Sequence, residues 1–77
     1  MSKLPILNAK QLEKLLLQLG FTIQRQKGSH KFYKHPDGRY TTIPHHQGED
    51  LSRSLLRTIL NQIDLSTEEF IQQLNIF

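Results

Sequence analysis

Four histidines and a run of cations are the side chains best suited to chemistry in this 77-residue chain, which contains no cysteine. Histidine has an ordinary pKa of about 6.5, so it can take or give a proton at neutral pH. His30 and His35 lie in a basic stretch with Arg25, Lys27, Lys31, Lys34 and Arg39, against the single acid Asp37. His45 and His46 open a polar run, His45-His46-Gln47-Gly48-Glu49-Asp50. Lack of cysteine excludes a disulfide framework, a thiolate metal site and a thiol nucleophile. A zinc site built from His30, His35, His45 and His46 would have neither cysteine nor helical His-to-His spacing, so no metal site is expected. The formal charge is +3, and residues 61–77 carry Asp64, Glu68 and Glu69 with no Lys or Arg. The positive field is therefore localised, as a polyanion-binding face requires, although lysines also solvate ordinary strand pairs.

The elements that must hold these side chains can be read from periodicity. Asn8 and Gln11 form a capping box and Leu7 can staple on Leu12. Leu12, Leu15, Leu16 and Leu19 then recur as one helical stripe, and Gly20 stops a helix expected over Ala9 to Leu19. From Phe21 the period becomes two, giving a strand that Gly28-Ser29 breaks. A second strand is expected from His30 to His35, a turn at Pro36-Asp37-Gly38, and a third strand from Arg39 to Ile43. Strict alternation puts Phe21, Ile23, Phe32 and Ile43 on the core face and Tyr33, Tyr40 and Thr42 on the open one. Leu55, Leu56, Ile59, Leu60 and Ile63 make a second helical stripe beginning near Ser52. Ser66 and Glu69 cap a short last helix carrying Phe70, Ile71 and Leu74.

The expected fold class is α+β, of the double-stranded-RNA-binding-domain type. Its order is α-β-β-β-α, with helices on one face of a three-stranded antiparallel sheet and a short C-terminal helix. Residues 1–77 are expected to form a single domain, since a chain this short builds one modest core. Such a fold meets RNA through shape, 2′-hydroxyl and phosphate contacts, but function must be argued from the residues.

Gly28-Ser29-His30, Pro36-Asp37-Gly38-Arg39, Pro44-His45-His46 with Gly48, and Leu56-Arg57-Thr58-Ile59-Leu60 stand in the order and spacing of one family. From about Asn8 to Phe70 the chain resembles the HicA, or YcfA-like, toxins of HicA/HicB toxin–antitoxin systems. The resemblance implies a double-stranded-RNA-binding-like fold and metal-independent mRNA cleavage with no cofactor. It also implies a catalytic His in the G-S-H segment, which is His30 here, and a HicB-like antitoxin as partner. His46 matches the His of the family's P-x-H segment, and His45 fills the variable position.

Metal-free RNA cleavage needs a proton taken from a 2′-hydroxyl, one given to the leaving 5′-oxygen, and cations on the phosphate between. Arg25, Lys27, Lys31 and Arg39 are the candidate RNA-binding cations, with Gly28 and Ser29 offering backbone amides and a hydroxyl. Gly28-Ser29 is equally a simple turn. Alternation sets His30 beside Phe32, which also allows a strand-end His tucked at the core edge. His46 as a second acid or base competes with a loop His that orders the turn. Arg57, with Arg53 one helical turn away, offers a phosphate contact or a solvated face. Tyr33 and Tyr40 could stack bases or merely pair across strands.

Two other functions fit parts of the pattern: a non-catalytic RNA-binding module, and a helix-turn-helix DNA reader over Leu55 to Leu74. The second would read with Thr67 to Leu74, which carries Glu68 and Glu69 and no cation. No run approaches the roughly 20 apolar residues of a membrane span and no signal peptide is visible, so a cytoplasmic protein is expected. It is expected to be a monomer when free, with higher-order assembly arising on the antitoxin.

Overall fold

A computed structural model describes residues 4–74. Helix α1 (Ala9–Gln18) starts at Asn8, whose side chain accepts from the Gln11 N–H while the Gln11 side chain accepts from the Asn8 N–H, both at 2.9 Å. That reciprocal pair satisfies two of the amides a helix start leaves orphaned. Gly20, at φ +100°, ends the helix in the left-handed region. Leu12, Leu15 and Leu16 are fully buried, each contributing about 1.5–3 kcal/mol to the core.

Strands β1 (Thr22–Lys27), β2 (His30–Lys34) and β3 (Tyr40–Pro44) form an antiparallel sheet in that spatial order. Helix α2 (Arg53–Gln62), capped by Ser52, packs with α1 on one face of the sheet. Helix α3 (Thr67–Leu74) follows a turn in which Asp64 takes φ +55°, a conformation that aspartate tolerates better than most residues. The Ser66–Glu69 capping box forms, with bonds of 3.0 and 3.1 Å, and Phe70 is fully buried. This is the expected α+β, double-stranded-RNA-binding-domain-like architecture, with element ends within a residue or two of those read from the sequence.

Residues 4–8 are strapped against the start of α2. The Leu51 N–H donates to the Leu7 carbonyl at 2.7 Å, Arg53 Nε donates to the Leu4 carbonyl at 3.0 Å, and Leu4 and Leu7 are buried.

The strand faces differ from the expected ones. Lys31 pairs with Ile43 and Tyr33 with Thr41, so these four share the face that the helices cover. Tyr33 is 1% exposed, whereas Phe32 lies on the open face beside Arg25 and Thr42. Tyrosine can fill a core when its hydroxyl finds partners, and Tyr33 finds two. Ile23, opposite Tyr33, sits on the helix side but at the sheet edge, where it remains 44% exposed. Phe21 and Ile43 are buried and Tyr40 is exposed, as alternation requires. In β1 the pairing skips Gln24, a bulge that brings Arg25 opposite Phe32 and Lys27 opposite His30.

Candidate functional site

The open face is built around the hairpin joining β1 to β2. Lys27 pairs with His30 across a two-residue turn, and Gly28 takes φ +59° while Ser29 stays outside the left-handed region. That combination suits a type II′ turn with glycine first. His30 is therefore exposed on the open face, not tucked at the core edge, and its ring has no hydrogen-bond partner among the described residues. Lys27 flanks it across the ladder. Two pairs further along, on the same face, the Arg25 guanidinium lies 4.5 Å from the Phe32 ring centroid, which braces a cation over an aromatic face.

The helix face carries a different polar cluster. Tyr33 Oη lies 2.8 Å from Glu13 Oε1 and 2.8 Å from His45 Nε2, and Lys31 Nζ donates to the same Glu13 oxygen at 3.1 Å. Burial raises the Glu13 pKa, but hydrogen bonds from Tyr33 and Lys31 outweigh it and the net shift is downward. Burial, then the hydrogen bond to Glu13, pushes the Tyr33 phenol well above its ordinary range. Glu13 is thus an anion and Tyr33 a neutral donor. A tyrosine hydroxyl has one hydrogen, and Glu13 receives it, so His45 Nε2–H must donate to Tyr33 Oη. Burial, together with Lys31 and Lys10, holds the His45 pKa below its ordinary value, while Glu13 opposes the shift.

His45 also lines a cleft of about 420 Å³ with Asn8, Lys10, His46, Gln47 and Gly48. Its backbone N–H donates to the Ser29 carbonyl at 2.6 Å, which ties this cleft to the hairpin that carries His30.

The remaining candidates separate. Lys31 faces the helices and is paired with Glu13. Arg39 donates to Asp37 at 2.8 Å and to the Ile63 carbonyl at 2.6 Å, closing the end of α2. Arg57 is exposed on α2, in the layer opposite the open face, and Arg53 is engaged with Leu4. The Asp37 N–H donates to His35 Nδ1, so Nε2–H donates to the Leu19 carbonyl at 3.1 Å, and the ring meets Phe21 edge-on at 5.1 Å between centroids. The Asp37 carboxylate also lies 3.1 Å from that same Nδ1. His30 and His35 stand at opposite ends of the β2 segment, and no three His, Asp or Glu side chains gather among the described residues.

The structure thus unites Arg25, Lys27, Gly28, Ser29 and His30 at one hairpin and turns Lys31 and Arg39 inward. Sequence reasoning assigned no role to Glu13 or to His45. The available signal for Glu13 was its place on α1 beside Leu12, next to the apolar stripe, where a carboxylate needs a partner.

A family model described as the HicA toxin of bacterial toxin–antitoxin systems matches residues 9–65. No curated protein matches the chain.

Proposed function

The chain belongs to the HicA toxin family, a family of toxins in bacterial toxin–antitoxin systems, and from that premise we propose that it is a metal-independent endoribonuclease acting on mRNA. His30 is its general acid or base. The supporting observation is the exposure of His30 on a helix-free sheet face, flanked by Lys27 and followed by the Arg25–Phe32 pair. An RNA strand laid on that face meets cations for phosphate and an aromatic for a base. In the reaction the 2′-oxygen loses its proton and bonds to phosphorus. The P–O5′ bond breaks, and the 5′-oxygen gains a proton. Gly28 and Ser29 present a backbone turn beside the phosphate.

The family implies an antitoxin as partner. A HicB-like protein seated on the open face would cover His30 and neutralise Arg25 and Lys27 together; a complex leaving His30 accessible to RNA contradicts that placement.

The unpartnered His30 ring favours one other reading, a non-catalytic RNA-binding module, because catalytic histidines are usually oriented by a second group. The deciding experiment compares purified wild type and His30→Ala on RNA in EDTA. A loss of about 10²–10⁴-fold in cleavage rate is expected. Equal cleavage by both proteins sinks the role of His30, and RNA binding without cleavage by wild type supports the module.

A further inference from the structure

The cleft around His45 contains a hydrogen-bond acceptor whose identity is fixed by the fold. The Glu13 carboxylate takes the Tyr33 hydrogen, so Tyr33 Oη is left to accept from His45 Nε2–H. The neutral ring then carries no hydrogen on Nδ1. Nδ1 makes no hydrogen bond, yet no buried side-chain nitrogen or oxygen lacks a partner among the described residues, so Nδ1 meets solvent. The groups acting on this ring come from two elements, Lys10 and Glu13 from α1 and Lys31 and Tyr33 from β2.

We propose that this cleft is a ribose-reading subsite for an RNA strand, in which His45 Nδ1 accepts a hydrogen bond from a nucleotide 2′-hydroxyl and Lys10 and His46 flank its phosphate. A cleft of about 420 Å³ is within the size range of small-ligand sites and suits one nucleotide. The 2′-hydroxyl is the donor that separates RNA from DNA. An acceptor locked by Tyr33 and Glu13 favours that donor without rearrangement. The bond from the His45 N–H to the Ser29 carbonyl sets the subsite next to the His30 hairpin, so one strand passing round the end of the sheet reaches both. Tyr33 and Glu13 are positioning residues here. The proposal rests on RNA being the substrate but not on His30 cleaving it.

The test uses full-length His30→Ala protein with a single-stranded oligoribonucleotide, its intactness checked after each measurement, and its 2′-deoxy counterpart. The ratio of RNA to DNA affinity should fall about 2–10-fold when His45→Ala is added, the worth of one hydrogen bond. Tyr33→Phe, which frees the ring to exchange tautomers, should lower the ratio by a smaller factor. An unchanged ratio in the His45→Ala protein overturns the proposal. Nitrogen-15 shifts of His45 in the His30→Ala protein give a readout that survives misfolding of the other variants. Nδ1 should be unprotonated in the free protein at neutral pH and should shift with RNA and not with DNA. A protonated Nδ1, or the same shift with both, also overturns it. Failure to bind either nucleic acid would instead bring down the RNA reading on which it rests.

Discussion

The Tyr33 hydroxyl donates to Glu13 at 2.8 Å, joining the middle of β2 to the first turns of α1. That bond leaves the buried phenol satisfied and keeps its ring on the helix side of the sheet. His30 and Phe32 alternate with it and are thereby committed to the opposite side.

Replacing Tyr33 by Phe keeps the ring and removes the hydroxyl. His45 Nε2–H loses its acceptor, and Glu13 retains only Lys31. Leaving a buried donor unpaired costs about 1–3 kcal/mol. The melting temperature should drop by roughly 4–8 °C per kcal/mol in a domain of this size, read by thermal unfolding. An unchanged melting temperature would mean that the hydroxyl contributes nothing to folding.

Acid should destabilise the protein in two stages. His45 has a lowered folded pKa, so its contribution is complete above its unfolded value of about 6.5 and declines as pH falls through the folded one. Glu13 is also lowered, and its contribution is lost below the unfolded value of about 4.3. Urea midpoints measured from pH 8 to pH 3 should fall in both windows. Glu13→Gln should shrink the lower stage, to which Asp37 and Glu69, whose carboxyls are also lowered by their hydrogen bonds, contribute the remainder; a midpoint independent of pH would refute the assignment of both groups.

The cations divide by the face they occupy. Arg25→Ala and Lys27→Ala should each reduce the dependence of log affinity for single-stranded RNA on log salt by about 0.7, the signature of one phosphate contact. Arg39→Ala should leave that slope unchanged and cost about 1.5–3 kcal/mol of stability, because its charged hydrogen bond to the Ile63 carbonyl is lost. Salt titrations of RNA binding with urea unfolding of the same variants separate the two outcomes.

Gly20→Ala tests the junction of α1 with the sheet. At φ +100° an L-residue is strained, and its Cβ would come within 3.0 Å of His35 Nε2, the atom that donates to the Leu19 carbonyl. A loss of about 1–3 kcal/mol is expected by urea unfolding, with RNA affinity per folded molecule unaltered.

The helices, caps and meander were legible in the sequence because each rests on local signals: Asn8 with Gln11, Ser66 with Glu69, and leucines at helical spacing. The sheet faces were not. Hydropathy ranks phenylalanine as the more buried residue, and only the distant partners Glu13 and His45 make Tyr33 the core residue instead. The clustering of Arg25 and Lys27 with His30 was visible as composition. The inward turn of Lys31 and Arg39 was not, because their partners lie 18 and 24 residues away in the chain.

The skipped residue in β1 sets the phase of that strand. Ile23 faces the helices, and uninterrupted alternation from it would point Arg25 and Lys27 inward as well. Gln24 acts as a spacer that resets the count, so the charge presented on the open face depends on chain length between two positions as much as on residue identity. Removing Gln24 should leave Arg25 and Lys27 outward on a straighter strand, whereas a strand that kept Gln24 but lost the bulge would turn both inward. The hairpin can therefore lose its positive surface without losing a single positive residue.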